Sequence, residues 1–236
     1  MQILLATLNA GKLREIEREM RKANLPDIQI RTRAILPAAR NVAEDRPTFL
    51  GNAVKKARDY ASQSGMLTLA DDSGLCVDAL AGEPGVLSAR YAGEPCNDTA
   101  NNAKLLHALA GVPAAHRTAK FVCAMALADP TSTVAVVQAW VEGLILSGPR
   151  GANGFGYDPL FLIPTLGQTT AELPLDQKSA LSHRGQAIRK MIALLQTGIL
   201  TGVKIHGVPA AKSCGASPGP TPLEELPIKT SASAQR

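Results

Sequence analysis

The sequence predicts a mixed α/β fold in which helices cover the faces of a β-sheet. Over residues 2–70, short apolar runs alternate with helical repeats in the order β-α-β-α-β, which is typical of a sheet with helices packed on it. Two long β-rich runs follow at 118–128 and 133–147, and a polar turn joins them. We therefore expect a long antiparallel hairpin that bends between two lobes.

Hydrophobic periodicity predicts the elements of the first half of the chain. They are, in order, a strand at 2–7, a helix at 12–24, a strand at 28–32, a helix at 48–64 and a strand at 67–70. The second helix has Thr48 as its expected N-cap and Gly65 as its stop. The apolar residues expected to face inward on the two helices are Leu13, Ile16, Met20, Leu50, Val54, Ala57 and Ala61.

The second half is predicted to add two helices and a short strand to the hairpin. Asp98 is expected to cap a helix that runs to Ala110. The short strand is predicted at 160–163, and Ser182 is expected to cap a last helix that ends near Gln196. The inward residues of these two helices are expected to be Leu105, Leu106, Leu109, Ile188, Ile192 and Leu195.

The charge of the chain limits the class of partner. Its formal net charge is +5 and its pI is about 9.1, which suits either nucleic acid or an anionic small molecule. The basic residues form no run longer than a pair, and aromatic residues, only 3% of the chain, rarely lie among them. We therefore expect an anionic small-molecule substrate and no nucleic-acid partner.

The sequence shows no targeting or membrane signal. The first residues, MQILLATLNAGK, lack a charged segment followed by a long apolar stretch, so we expect no signal peptide. No apolar run is long enough to span a bilayer, and we expect no membrane partner. The four cysteines are scattered, lack the spacing of a zinc site and are expected to be unpaired, which fits a reducing cytoplasm.

The C-terminal segment differs in composition from the rest of the chain. From about residue 207 onward, five prolines lie among serine, alanine and glycine residues. Too few apolar side chains are present to join a core, so a disordered tail is expected over 207–236.

A polar turn joins the first predicted strand to the first predicted helix. It consists of Thr7, Leu8, Asn9, Ala10, Gly11 and Lys12. Backbone N–H groups at the start of a helix attract an anion, and Lys12 adds a positive charge. The turn is not a Walker A loop, because GxxxxGK[ST] is absent. An ordinary β–α turn with a surface lysine is the alternative to a phosphate-binding loop.

Two adjacent carboxylates follow the third predicted strand, in the motif DDSG. Neighbouring strand residues point to opposite faces, so we expect one of Asp71 and Asp72 to face a site and the other to hold the turn. Magnesium takes one or two protein carboxylates and keeps water for phosphate. Glu44, in another loop, is the candidate second ligand. The alternative is an Asx-turn capped by Ser73.

The hexapeptide GFGYDP combines two glycines with two aromatic residues in a chain that has few aromatics. Gly154 and Gly156 allow close approach of a ligand to the backbone. Phe155 or Tyr157 offers a flat face on which a base can stack. Asp158 either fixes the loop or accepts a hydrogen bond from a base. The alternative is a packed aromatic turn.

The last predicted helix opens with the residues SHRG. Positive charge in a first helical turn opposes the helix dipole, which favours a functional role for His183 and Arg184 over a surface cation pair. Their donors match the O6/N7 edge of an oxopurine, and Lys178 lies one turn upstream.

Taken together, the motifs resemble those of the inosine/xanthosine triphosphate pyrophosphatases, a family that hydrolyses non-canonical purine nucleoside triphosphates. The resemblance runs from about residue 1 to residue 200 and leaves only the tail uncovered. The matching segments are TLNAGK at 7–12, TF..NA..KA at 48–57, ADDSGL.VDAL.GEPGV.SARYAG at 70–93, GFGYDP.F at 154–161 and K..LSHRGQA at 178–187.

This resemblance implies a two-lobed domain over 1–200 with a long central mixed sheet and a substrate cleft. It also implies a homodimer, dependence on Mg²⁺, and hydrolysis of ITP, dITP and XTP to the monophosphate and pyrophosphate. Glu44 and Asp72 are implied as metal ligands, with Asp72 also the base that activates water. The residues implied to bind substrate are Thr7, Leu8, Asn9, Ala10, Gly11, Lys12, Lys56, Ser73, Phe155, Gly156, Tyr157, Asp158, Lys178, His183 and Arg184. For Lys56, position on the second helix alone favours a solvated side chain.

The chain departs from the family pattern at a few positions. Asp45, Arg46 and Pro47 follow Glu44 where the family usually has Thr-Gly. Gly51 replaces a usual glutamate, and Lys120 replaces a common arginine. These departures bear on metal geometry and rate more than on the class of reaction.

Two other functions fit parts of the pattern. A nucleotide-binding regulator would hold a purine without turnover, but it would not need the carboxylates Glu44 and Asp72. An RNA-binding protein would show strongly salt-dependent affinity for RNA.

Overall fold

The computed structural model describes residues 1–197, so the predicted tail at 207–236 lies outside the described residues. Within residues 1–197, seven strands and five α-helices form the fold. The strands are β1 (Gln2–Leu5), β2 (Gln29–Thr32), β3 (Leu67–Val77), β4 (Thr118–Ala128), β5 (Thr133–Ile145), β6 (Phe161–Ile163) and β7 (Gln168–Thr169). The helices are α1 (Ala10–Lys22), α2 (Phe49–Ser64), α3 (Asp98–Ala108), α4 (Leu175–Leu181) and α5 (His183–Gln196).

The strands form one mixed sheet in the order β2-β1-β3-β4-β5-β6-β7. β1 pairs in parallel with β2 and with β3, because α1 and α2 make the crossovers between them. All later pairs are antiparallel, and the long β4–β5 hairpin lies at the centre of this part. The mixed α/β fold predicted from the sequence is confirmed.

The third strand is much longer than predicted. Its expected end was Ala70, but β3 continues to Val77 because β4 pairs with every residue from Thr68 to Val77. The motif DDSG therefore lies within a strand, and the interpretation of this segment as a turn is wrong. β1 ends at Leu5, so beyond that point the β1 side of β3 is open to a ligand. This arrangement exposes the two aspartates beside the carboxyl end of β1.

The helices present more polar residues to the interior than the sequence suggested. On α2, Thr48 caps the first turn and Gly65 ends the helix at φ 69°, both as predicted. The buried face of α2 also includes Asn52 and Lys56, so the expectation of a solvated lysine is wrong. The expected stripe residues Leu50 and Val54 are only half-buried, whereas the α2 residues in the core are Phe49, Ala53, Ala57, Tyr60 and Ala61.

Three apolar clusters hold the sheet and helices together. α1 and α5 pack on one face of the central strands, where Ile16 and Ile188 belong to the same cluster. α2 covers the other face. A third cluster, which contains Leu105 of α3 and Phe161 of β6, stabilises the far end of the sheet. The chain therefore holds the middle of β3 between helices of opposite faces.

Two predicted helix details differ in the structure. The N-cap of α3 is Asn97, whose Oδ1 accepts from the N–H of Ala100, and the predicted cap Asp98 is the first helical residue. The sequence did not predict α4, which has only seven residues and begins after Pro174 without a side-chain cap. Ser182 caps α5 as expected and separates it from α4.

The cysteines and the membrane expectation can be compared with the described part of the chain. Cys96 and Cys123 are free thiols, whereas Cys76 is disulfide-bonded, so the expectation that it is unpaired is wrong. Within residues 1–197, no helix is both long and apolar enough to cross a bilayer.

Candidate active site

A cavity of about 360 Å³ brings together nearly all of the predicted site residues. It lies beside the open part of β3, between the loop after β1, α2 at Lys56 and Tyr60, and the α4–α5 junction. The predicted residues that line it are Thr7, Leu8, Asn9, Lys12, Glu44, Lys56, Asp72, Ser73, Phe155, Gly156, Tyr157, Asp158, Lys178, His183 and Arg184. Ala10 and Gly11, also predicted, do not line the cavity.

The loop after β1 is shaped by its own side chains. Thr7 Oγ1 accepts from the N–H of Asn9 at 3.2 Å, and Asn9 Oδ1 caps α1 by accepting from the N–H of Lys12 at 3.0 Å. Gly11 is required for packing, because a Cβ there would lie 2.6 Å from Cδ1 of Phe155. Gly11 thus lets the loop after β1 pack against the aromatic loop, although it does not itself line the cavity.

Two carboxylates share one buried lysine at the α2 side of the cavity. Lys56 Nζ lies 2.6 Å from Glu44 Oε1 and 3.8 Å from Asp72 Oδ1. Asn52 Nδ2 donates to Asp72 Oδ2 at 2.9 Å, and Arg90 donates to the backbone oxygen of Glu44 at 3.0 Å. Glu44 and Asp72 therefore face the same point, which is what a two-carboxylate cation site requires. Within residues 1–197, no group of three or more His, Cys, Asp or Glu side chains suited to a metal is present.

The loop that departs from the family pattern is anchored to α2. Asp45 accepts from Lys55 Nζ at 2.8 Å, and the N–H of Arg46 donates to Asn52 Oδ1 at 2.9 Å. At Gly51 a Cβ would lie 3.0 Å from Cβ of Arg46, so the small residue allows this loop to pack closely. The substituted residues thus hold Glu44 in the cavity by contacts of their own.

The two adjacent aspartates have opposite electrostatic environments. Burial raises the pKa of Asp72 to about 6, and Glu44 adds to the rise, while Lys56 and Lys12 oppose it. Burial also favours a raised pKa for Asp71. However, Lys12 at 2.9 Å, together with Arg184, outweighs burial and holds the pKa of that carboxyl well below its usual range. Asp71 is thus ionised at neutral pH, whereas the raised pKa of Asp72 suits a group that takes up and releases a proton.

Both rings of the aromatic loop line the cavity, but Phe155 is half-buried whereas Tyr157 is buried. Phe155 has Lys178 Nζ at 5.1 Å and Arg184 Cζ at 5.4 Å from its ring centroid. The hydroxyl of Tyr157 donates to the backbone oxygen of Ser88 at 2.8 Å, so Phe155 is the more accessible of the two rings. Asp158 fixes the loop by accepting from the N–H of Phe155 at 2.9 Å.

A buried glutamate that the sequence analysis missed connects three helices. Glu15 of α1 accepts from Arg184 Nη1 and, at 3.0 Å, from Lys178 Nζ. Burial raises the pKa of Glu15, but Arg184 and Lys178 outweigh it and keep the pKa below its ordinary value. No local signal marks Glu15, because both of its partners lie more than 160 residues later in the chain.

Two nitrogen atoms of cavity-lining residues are buried without a hydrogen-bond partner among residues 1–197, namely His183 Nδ1 and Arg184 Nε. His183 stacks on Phe121 at 4.8 Å between ring centroids. Burial, together with Arg184 and Lys178, lowers the pKa of His183 well below its usual value, so its ring is neutral and has one donor and one acceptor nitrogen. Because buried polar atoms normally have partners, these two are available to a ligand.

The α4–α5 junction leaves no space for a side chain at Gly185, where a Cβ would lie 1.8 Å from the backbone oxygen of Ser179. We expect Gly185→Ala to lower the free energy of unfolding by about 1–3 kcal/mol, measured by chemical denaturation, because the junction must shift. Gly148→Ala is the matched control, since nothing lies within 4 Å of its added Cβ. Equal stabilities of the two variants would show that the junction is not closely packed.

The chain matches known proteins over the whole described region. The model of the Ham1 family matches residues 3–194. A relative from Desulforamulus reducens, named dITP/XTP pyrophosphatase, is 48% identical over 195 residues, which cover 83% of this chain and 96% of the relative. A relative of the same name from Geobacter sulfurreducens is 49% identical over 187 residues, covering 79% and 92%.

Solved structures show the same similarity. A HAM1 protein from Coxiella burnetii superposes with a TM-score of 0.76 at 38% identity, and the match covers 84% of this chain and 99% of that one. A Ham1 protein from Staphylococcus aureus superposes with a TM-score of 0.75 at 39% identity, covering 84% and 100%.

Proposed function

The chain belongs to the Ham1 family, and from that membership and the cavity we propose that it hydrolyses non-canonical purine nucleoside triphosphates. The substrates are ITP, dITP and XTP, and the products are the nucleoside monophosphate and pyrophosphate. The reaction removes deaminated purines from the nucleotide pool. The observation that carries this proposal is that one cavity holds an aromatic platform, two unpartnered buried nitrogens, several lysines and a carboxylate with a pKa of about 6.

The end of the cavity at Phe155 suits an oxopurine base. The ring provides a stacking face with Arg184 beside it, and His183, which lines the same cavity, provides a second unsatisfied polar atom. Donors in this position donate to the O6 of hypoxanthine or xanthine, whereas adenine presents an N6 donor there and leaves them unpaired. A site that leaves buried donors unpaired rejects the wrong base strongly, so ATP is disfavoured.

The carboxylates fit the Mg²⁺ that the family resemblance implies. Glu44 and Asp72 supply oxygen ligands that converge on Lys56, and Mg²⁺ typically uses one or two carboxylates with water and phosphate oxygens completing its shell. The bound ion would neutralise phosphate charge and polarise the phosphoryl group. In the structure Lys56 pairs with both carboxylates. When substrate binds, its phosphate oxygens would offer Lys56 an alternative partner.

Asp72 is positioned to act as the general base. Its ionised form takes a proton from water, which attacks the α-phosphorus, and the bond from that phosphorus to the oxygen bridging to the β-phosphorus breaks. Pyrophosphate leaves with the bridging oxygen and its electron pair. Lys12 and Lys56 line the same cavity and stabilise the negative charge that develops on the phosphates.

A nucleotide panel tests this proposal. Purified protein is incubated with ITP, dITP, XTP and ATP, and pyrophosphate and orthophosphate are measured separately. We expect pyrophosphate from the first three nucleotides, little turnover of ATP and no orthophosphate. Binding of ITP without turnover would instead support the regulator that the sequence left as an alternative, and orthophosphate release would contradict the proposed bond cleavage.

The raised pKa of Asp72 gives a prediction about metal affinity. A protonated carboxyl must lose its proton to bind a cation, so the apparent Kd for Mg²⁺ should rise by up to about tenfold per pH unit as the pH falls below about 6. Above that pH the affinity should level off. Calorimetric titration with Mg²⁺ between about pH 5 and pH 8 checks this. An affinity independent of pH would contradict the assignment of Asp72 as a ligand, and Asp72→Asn should abolish the pH dependence.

We also propose that the protein is a cytoplasmic homodimer, as the family resemblance implies. Trp140 on β5, the only tryptophan of the chain, has 53% of its surface exposed, and a second copy would cover such a side chain. Light scattering on the purified protein in solution tests the assembly state. A monomer mass at micromolar concentration would contradict the dimer.

A further inference from the structure

The cation Arg33 lies in the same cavity but belongs to no motif of the sequence analysis. It follows β2, and its side chain lines the cavity together with Lys56 and Tyr60. Its guanidinium lies 5.1 Å from the ring centroid of Tyr60. Tyr60 is one turn after Lys56 on α2, which is about 6 Å along the helix axis. Arg33 therefore adds a positive charge to the cavity beside Tyr60, one helical turn from Lys56.

Arg33 differs from the other cations of the cavity in its partners. Each of the others lies within ion-pair distance of a carboxylate: Lys12 of Asp71, Lys56 of Glu44, Lys178 of Glu15 and Asp158, and Arg184 of Glu15 and Asp71. For Arg33 the described residues provide no such carboxylate. Its positive charge is thus left for an anion that enters the cavity.

The guanidinium is also held in place before any ligand binds. Its Nη2 donates at 2.9 Å both to the backbone oxygen of Ala39 and to Asn41 Oδ1. A cation–π contact with the Tyr60 ring adds a further attraction. Its Nε is buried and has no acceptor within residues 1–197. A fixed guanidinium with an unsatisfied donor is the arrangement that recognises phosphate oxygens well.

We propose that Arg33 binds the terminal phosphate of the nucleoside triphosphate. This rests on the proposed function, because the base must lie at Phe155 for the phosphates to extend past Lys56 toward Arg33. Arg33 then increases the affinity for triphosphate and pyrophosphate without contacting the base or the α-phosphorus. It is a binding residue for the part of the substrate that leaves as pyrophosphate.

The test compares ligands that contain the terminal phosphates with one that lacks them. In Arg33→Met, the KM for ITP and the competitive inhibition constant for pyrophosphate should both rise about tenfold or more, because a charge-assisted hydrogen bond is lost. The inhibition constant for IMP and the kcat should stay within about twofold of those of the wild type. Arg33→Lys, which keeps the charge, should recover part of the loss.

Arg31→Met is the matched control. Arg31 lies two residues earlier on β2, is exposed and does not line the cavity. Its replacement by methionine therefore removes the same charge from outside the site. Its kinetic constants should equal those of the wild type. If Arg33→Met weakens IMP and pyrophosphate equally, Arg33 acts only by bracing the segment at Ala39 and Asn41, and the proposal is wrong. A melting-temperature scan confirms that each variant is folded.

A binding experiment separates this proposal from the proposed function. Inorganic tripolyphosphate binding, measured by calorimetry, needs no turnover, and Arg33→Met should weaken it about tenfold. If the wild type binds tripolyphosphate in this Arg33-dependent way but does not hydrolyse ITP, the proposed function fails while the phosphate site stands. If ITP is hydrolysed but Arg33→Met binds tripolyphosphate as the wild type does, the proposed function stands and the proposed role of Arg33 is wrong.

Discussion

Asp72→Asn is expected to lower the kcat for ITP by about 10³-fold and to leave the fold intact. The change removes the general base, which is worth about 10² to 10⁴ in rate, and also one of two carboxylates facing Lys56. The asparagine oxygen can still accept from Asn52 Nδ2, which donates at 2.9 Å to Asp72 in the structure. Stability should therefore change little. Steady-state pyrophosphate release at saturating Mg²⁺ measures the effect.

A control with the same change of charge makes this result specific. Asp45 is the neighbour of Glu44, pairs with Lys55 and does not line the cavity. Asp45→Asn should keep the kcat within about twofold of the wild type, because exposed ion pairs contribute little. A kcat for Asp72→Asn within about tenfold of the wild type would show that Asp72 is not the base.

Arg184→Ala is expected to have the largest effect on stability and a selective effect on substrate. Its removal leaves Glu15 and Asp71 buried without their shared guanidinium, which costs about 3–5 kcal/mol of unfolding free energy. It also removes a donor beside Phe155, so kcat/KM for ITP should fall about ten- to a hundredfold while the residual activity with ATP changes little. Chemical denaturation and kinetics with both nucleotides measure the two effects.

Arg189 on the same helix provides the comparison. It is partly exposed and lies 3.4 Å from Glu19, so Arg189→Ala should cost only about 1 kcal/mol and leave the ratio of ITP to ATP activity unchanged. Suppose that Arg184→Ala is destabilised as expected but loses ITP and ATP activity in equal proportion. Arg184 would then hold α5 against β3 and α1 without reading the base.

Local patterns were sufficient for most of the fold, because they reflect contacts within one element. The caps Thr48 and Ser182 and the inward residues of α5 follow from helical periodicity and capping, and the structure confirms them. The length of β3 does not follow from local pattern, since its second half depends on pairing with β4, about fifty residues later. The motif DDSG therefore looked like a turn when read alone.

The residues of the candidate site also fall into two groups, those that the sequence reveals and those that depend on distant contacts. Motif residues such as Lys12, Asp72 and Arg184 carry chemistry that is visible in the sequence, and the cavity brings them together. Glu15 and Arg33 lie outside the conspicuous motifs, and their roles depend on what surrounds them in the fold. A buried acid such as Glu15 can be recognised only when the cations around it are located. A cation that has no carboxylate partner, such as Arg33, can be recognised only when all of its neighbours are known. Such residues require the three-dimensional structure.

The most direct test of the account follows the oxygen of the attacking water. The protein is incubated with ITP and Mg²⁺ in ¹⁸O-labelled water, and the products are analysed by mass spectrometry. We predict equal amounts of IMP and pyrophosphate, with one labelled oxygen in the IMP phosphate and none in pyrophosphate, because water activated by Asp72 attacks the α-phosphorus. Label in pyrophosphate or in orthophosphate would place the attack at another phosphorus and contradict the account.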